Sequence, residues 1–233
     1  IPLNQGDGEY NITIVGVSSG DTGRQSVFVI RDQTAPSVSI LSPISGTYTR
    51  ASEIQLLWSA TDAFSSVSHY EIFIDENYLG TTTTNNYFVT LNRNTEYQLS
   101  VKAYDELGNN DQASITITRD TIKPFVSILS PENNYNSSSQ LMEITWDSFD
   151  NLEESGIHHT EIVVNQITEY TGTGLTSTTL NLRESGEKDI IITTYDRAGN
   201  IAIDYITVMY DNTSPYLVIL SPTSGFTTGL DYA

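Results

Sequence analysis

The chain has 233 residues, no cysteine, and 29 acidic against 10 basic side chains, for a formal charge of −19. Such a charge repels nucleic acid and anionic lipid and draws divalent counter-ions, while the missing cysteine excludes a disulfide framework, a Cys-based metal site and a thiol nucleophile. No window approaches 18 consecutive apolar residues, so this segment is not expected to insert into a membrane, and Ile1-Pro2-Leu3 carries neither an initiator Met nor a basic n-region, so the natural N-terminus is expected to lie elsewhere.

Residues 1–32 read as the tail of a unit whose complete copies follow. In the first complete copy, apolar side chains recur at every second position. The sets are Val38 and Ile40; Ile54, Leu56 and Trp58; Tyr70, Ile72 and Ile74; Tyr97, Leu99, Val101 and Ala103; and Ala113, Ile115 and Ile117. Period 2 predicts strands with one face buried. Ser45-Gly46, Asp75-Glu76-Asn77, Asn85-Asn86 and Leu107-Gly108-Asn109 supply turn chemistry between them. No segment has a helical period. The class is therefore all-β, built of antiparallel sandwiches, since each sheet must bury one face against another.

A repeat organises the rest. Asp32-Gln-Thr-Ala-Pro36-Ser-Val-Ser-Ile40-Leu-Ser-Pro43 returns as Asp120-Thr-Ile-Lys-Pro124-Phe-Val-Ser-Ile128-Leu-Ser-Pro131 and as Asp211-Asn-Thr-Ser-Pro215-Tyr-Leu-Val-Ile219-Leu-Ser-Pro222, at spacings of 88 and 91 residues. Six of the seven prolines belong to this motif, which removes compositional accident as its origin. Trp58 and Trp146 keep the same step, and Tyr104-Asp105-Glu-Leu-Gly108-Asn109 returns as Tyr195-Asp196-Arg-Ala-Gly199-Asn200. Four segments follow: 1–32 as the C-terminal part of one repeat, 33–120 and 121–211 as complete repeats, and 212–233 as the start of another. About 90 residues suit a seven-stranded sandwich and exceed solenoid repeats. Proline at each boundary fixes φ and donates no ladder hydrogen bond, so the connections are expected to be short and stiff.

The boundary motif, Ser155-Gly156-Ile157 leading into His159-Thr-Glu-Ile162, and the strand ending Y-D-x-x-G-N resemble the bacterial and archaeal Ig-like, fibronectin type III-like repeats of large cell-surface proteins. The resemblance implies tandem immunoglobulin-like, fibronectin III-like sandwiches at an extracellular cell surface. The role it implies is a structural stalk or lattice segment, as in an adhesin, S-layer or filament. Its alternatives are a glycan- or protein-binding adhesion module and the accessory domains of a secreted hydrolase. The partners implied are neighbouring repeats or copies of the same protein, then surface glycans or proteins. The second repeat departs from the pattern, with Lys188 where the first has Tyr97, which removes the hydroxyl of a tyrosine corner.

Candidate chemistry is sparse and no enzyme is expected. Gly16-Val-Ser18-Ser-Gly20 matches a nucleophile elbow in letters, but that device needs a helix after the turn. His69, His158 and His159 lack the spacing and companions of a zinc site. Both tryptophans are in phase with apolar neighbours and belong in cores, not on a sugar-stacking platform. Lys102, between Val101 and Ala103, points outward and does not suit a buried Lys–Asn cross-link. Asp32, Asp120 and Asp211 recur at the repeat boundaries, and Asp105 and Asp196 recur on a turn expected at the same end of each sandwich. Carboxylates converging there would suit Ca²⁺, the one cofactor expected, while Asx turns and strand ends account for the same residues without it. Sequons at Asn11, Asn136 and Asn212 mark candidate glycosylation sites.

Overall fold

The computed structural model describes residues 6–151, 155–218, 220 and 225. It begins with a hairpin of β1 (Gly8–Ser18) and β2 (Asp21–Arg31), joined by Ser19-Gly20 with φ of 48° and 94°. Positive φ at both central residues is what a two-residue turn needs to match strand twist. Ser18 thus ends a strand that turns directly into another strand, so the nucleophile-elbow letters lack their helix.

Eight strands follow as one sandwich: β3 (Ser37–Ser42), β4 (Thr47–Thr49), β5 (Glu53–Thr61), β6 (Val67–Ile74), β7 (Asn77–Thr82), β8 (Asn86–Thr90), β9 (Thr95–Asp105) and β10 (Asn110–Arg119). One sheet has the order β3-β5-β8 and the other β4-β10-β9-β6-β7. A second sandwich repeats the plan with β11 (Phe125–Ser130), β12 (Tyr135–Ser137), β13 (Leu141–Phe149), β14 (Ile157–Val164), β15 (Ile167–Gly172), β16 (Ser177–Asn181), β17 (Gly186–Asp196) and β18 (Ile201–Tyr210). Its sheets run β11-β13-β16 and β12-β18-β17-β14-β15. No helix occurs among the described residues. The eighth strand arises because the first strand of each unit divides. β3 pairs antiparallel with β5, and beyond Pro43, which has no N–H for the ladder, β4 joins the other sheet parallel to β10.

Each sandwich has its own core. In the first, Leu56, Trp58, Ile72, Val89, Leu91, Leu99, Val101 and Ile117 are almost fully enclosed; in the second, Ile144, Trp146, Ile162, Leu180, Leu182, Ile190, Ile192 and Val208 are. Burying such a side chain contributes roughly 1.5–3 kcal/mol against the entropy of ordering the chain. Trp58 is 2% and Trp146 1% exposed, so neither can stack on a sugar. Tyr70 meets Trp58 edge-on at 5.2 Å, whereas in the second unit the equivalent position is Thr160 and Tyr170 of β15 approaches Trp146 at 5.7 Å. Two routes thus place a tyrosine ring beside the indole.

The hydroxyl of Tyr97 donates to the Arg93 carbonyl at 3.0 Å and accepts from the Arg93 N–H at 2.7 Å, forming a tyrosine corner. Tyr10 in the hairpin donates likewise to the carbonyl four residues before it, that of Gly6. The hydroxyl pair Thr13–Ser26 across β1 and β2 has its counterpart in Ser100–Ser114 across β9 and β10. The hairpin therefore carries the bonding pattern of the last two strands of a sandwich. Lys188 occupies the corner position of the second unit, 8% exposed, with its stem in the core.

Candidate cation site at the head of each repeat

The site begins with the turn Asp105-Glu-Leu-Gly108-Asn109. Gly108 at φ 90° lets the chain reverse so that the N–H groups of Leu107 and Asn109 both donate to Asp105 Oδ1, at 2.8 and 2.9 Å. The Asn109 amide donates at once to Asp105 Oδ2 at 2.7 Å and to the backbone carbonyl of Asp32 at 3.3 Å. The second repeat rebuilds this with Gly199 at φ 89°. There the Asn200 amide bridges Asp196 Oδ2 at 2.7 Å and the Asp120 carbonyl at 3.1 Å. The Y-D-x-x-G-N motif is thus a clamp that ties each incoming linker to its own sandwich.

The linker aspartates carry their side chains into the same spot. Asp32 Oδ1 accepts from Thr34 N at 2.9 Å and Oδ2 from the Ser65 hydroxyl at 2.6 Å. Asp120 Oδ1 accepts from Ile122 N at 2.9 Å and Oδ2 from Ser155, through its N–H at 3.1 Å and its hydroxyl at 2.5 Å. The expected Asx turns are therefore present, and the carboxylates converge as well. A third member arrives on the loop after β5 or β13: Asp62 joins Asp32 and Asp105, and Asp150 joins Asp120 and Asp196. In each triad, one oxygen from each residue lies within 4.8 Å of the others. Two oxygens on opposite sides of a Ca²⁺ ion stand about 4.8 Å apart, given Ca–O distances of about 2.4 Å.

Asp62 and Asp150 were not singled out from sequence. Their signal was positional: they fall 30 residues after Asp32 and Asp120, but only the Asp is shared between the loops Asp62-Ala-Phe-Ser65 and Asp150-Asn-Leu-Glu-Glu-Ser155 up to the closing serine.

Asp105, Asp120 and Asp196 are essentially enclosed and Asp32 is 7% exposed, yet the salt bridges Arg31–Asp7 and Arg183–Glu169 lie outside both triads. Asp62 Oδ2 is enclosed with no hydrogen-bond partner, while its Oδ1 takes the N–H groups of Phe64 and Ser65 at 2.9 and 2.8 Å. Those backbone donors hold the Asp62 carboxyl below its ordinary range. Burial raises the Asp105 carboxyl, but the Asn109 side chain and the turn N–H groups outweigh it and the net shift is down. Asp150 goes the other way. Burial and then the charges of Asp120 and Asp196 push its carboxyl up, against donors from Asn151 and Gly156.

Of the other sequence candidates, Asp211 is not brought into a cluster among the described residues: its exposed carboxylate accepts from Thr213 N at 2.8 Å and Thr213 Oγ1 at 2.5 Å. Most of the segment that follows, 219, 221–224 and 226–233, lies outside the described residues. His69 and His159 lie flat on Tyr104 and Tyr195, at 4.7 and 4.4 Å, as ring-stacking partners on the outer sheet face. Lys102 points outward with its ammonium 5.0 Å from the Tyr104 ring. Asn11, Asn136 and Asn212 are all exposed.

The two sandwiches meet beside the second triad. Arg50, just after β4, donates to the Gly199 carbonyl at 3.2 Å, and Arg197 of the same turn stands over the Tyr48 ring at 5.8 Å.

Fold and boundary motif together define tandem immunoglobulin-like, fibronectin III-like β-sandwiches. Residues 36–117, within the first complete repeat, match the family described as Bacterial Ig domain, and the second sandwich repeats the same strand plan. The chain is 27% identical over 180 residues to Exoglucanase B of Cellulomonas fimi, covering 73% of this chain and 16% of that protein. Among solved structures, it resembles the fibronectin(III)-like modules of Clostridium thermocellum CbhA with a TM-score of 0.55 and 18% identity, covering 75% of this chain and 94% of that one. That level of identity speaks for the fold.

Proposed function

We propose that the chain is a mechanical spacer of an extracellular protein, a row of Ig-like sandwiches whose junctions are stiffened by Ca²⁺ held in the aspartate triads. The observation that carries this reading is that the same three-carboxylate cluster is built twice, at the point where a linker reaches its sandwich, with the linker's own aspartate as a member. A cation bound there would neutralise charge that burial and crowding leave costly, would fill the coordination of Asp62 Oδ2, and would pin linker, β5–β6 loop and β9–β10 turn to one point. Nothing in this reading requires catalysis by the chain.

The test is thermal unfolding of the 233-residue chain with excess Ca²⁺ and with EDTA, with small-angle scattering on the same samples. A Ca²⁺-dependent rise in melting temperature together with a longer particle is expected. No change in either measurement would reduce the aspartates to turn formation.

The likeness to Exoglucanase B favours one variant of this reading, in which the spacer belongs to a secreted hydrolase. The junction chemistry is the same there. A pull-down on microcrystalline cellulose separates a passive spacer, which stays in solution, from an accessory module that binds the polymer.

A further inference from the structure

The outer face of the second sandwich's larger sheet differs in kind from that of the first. On β9 and β10 the cross-strand pairs out of phase with the core include Ser100–Ser114, of which Ser114 is exposed and Ser100 is covered, and Lys102–Gln112. The same positions on β17 and β18 hold Ile191–Tyr205 and Thr193–Ile203. Ile203 is 62% and Tyr205 72% exposed, and both stand on β18 at positions that β10 of the first unit fills with Gln112 and Ser114. The fold therefore does not demand them. Apolar side chains that size on an open sheet face invite association and are kept where a contact uses them.

The surface around them is shaped and charged. Ile191, Ile203 and Tyr205 form a cleft of about 310 Å³ walled by Asp189 and Thr207. Through Asp189 and Ile191 it continues into a second cleft of about 480 Å³ that includes Glu187. No Lys or Arg lines either cleft; beside the apolar floor stand Thr207, Asn165 and Gln166, and the charged lining groups are the carboxylates of Asp189 and Glu187. A second copy of the chain would set these carboxylates against their own kind on a molecule already at −19.

We propose that this face docks a cationic, apolar segment of another protein, whose aliphatic side chains cover Ile191, Ile203 and Tyr205 while its Lys or Arg groups meet Asp189 and Glu187. The first sandwich, polar at the same positions, is the built-in control.

The experiment is an amide NMR titration of the full chain with a capped peptide of alternating Leu and Lys, its Leu–Glu counterpart, and cellohexaose. The Leu–Lys peptide is expected to shift the amides of 187–193 and 203–207 and to leave 100–116 unmoved. Replacing Ile191→Ser, Ile203→Gln and Tyr205→Ser, the residues of the first repeat, is expected to weaken binding at least tenfold. The converse graft, Gln112→Ile with Ser114→Tyr, is expected to create a second site, and it keeps the proposal testable should the triple variant fold poorly. The proposal is overturned if the shifts follow acidic residues over the whole surface, if the Leu–Glu peptide or cellohexaose moves the cleft amides and the Leu–Lys peptide does not, or if the face is occupied by self-association in sedimentation.

Discussion

At the scale of single residues, two positions show how one fold tolerates different chemistry. Tyr97 closes a corner by bonding both the N–H and the carbonyl of Arg93, and Lys188 cannot. Tyr97→Phe is expected to cost the first sandwich about 1 kcal/mol, because two backbone groups lose their partner, while Lys188→Tyr should stabilise the second; chemical denaturation of each variant reads both. Asp150 carries a pH signature. Its folded-state carboxyl is raised by burial, Asp120 and Asp196, so without divalent cation the folded state binds that proton more tightly than the unfolded state does. The resulting loss of stability sets in as pH climbs from the ordinary carboxylate range through the raised value and is complete above it. Asp105 has the opposite sign: lowered in the fold, it contributes stability above its unfolded value that is lost as pH falls through the folded one. Asp150→Asn should therefore raise the melting temperature of the second sandwich in EDTA at pH 7 by about 2–5 °C and erase its response to Ca²⁺. A variant that melts lower in EDTA yet keeps a full Ca²⁺ response would contradict the assignment.

At the scale of elements, the clamp made by Asn109 and Asn200 is the part most open to test. Each amide bridges a turn carboxylate and a linker carbonyl, so Asn200→Ala should destabilise the second sandwich by about 1.5–3 kcal/mol, the range for bonds to charged groups, and should speed amide hydrogen exchange across 120–122. Unchanged exchange there would mean that the Asn200 bond does not hold the linker and that Ser155, Ile122 and the Thr49 carbonyl keep Asp120 in place. The strands behind this clamp were legible in the sequence wherever one face is buried and the other wet: the sets on β3, β5, β6, β9 and β10 alternate cleanly and pack as their period demands. β4 and β12 were not legible, because three residues carry no period, and β8 hid its alternation behind the exposed ring of Phe88. The site was half legible. Asp32, Asp105, Asp120 and Asp196 announce themselves by repetition in similar surroundings, whereas Asp62 and Asp150 sit in loops of different length and become partners only once β5 and β13 bring them to the same pole. The apolar outer face of β17 and β18 was invisible for another reason. Where both faces of a strand are apolar, period 2 vanishes and the sequence no longer says which side is core.

At the scale of the whole molecule, the question is what sets the angle between the sandwiches. Among the described residues, two direct contacts stand beside the second triad. An Arg50 bond to the Gly199 carbonyl and Arg197 over Tyr48 are exposed interactions of the kind worth roughly 0.5–1 kcal/mol each, too little to fix a rod against thermal bending. The linker offers more. Asp120 is fully buried and bonded to Ser155, Pro124 is buried and fixes its own φ, and the chain between them is three residues long. A cation shared by Asp120, Asp150 and Asp196 would lock that linker to the very turn that Arg50 and Arg197 engage, so the two devices act on one element and should not be additive. The double variant Arg50→Ala, Arg197→Ala is therefore expected to leave the maximum dimension in scattering nearly unchanged with Ca²⁺ and to shorten and broaden the distribution in EDTA, with each sandwich melting as before. Equal effects in both conditions would show that the arginine contacts carry the stiffness independently of the triad. No effect in either would leave stiffness to the buried linker.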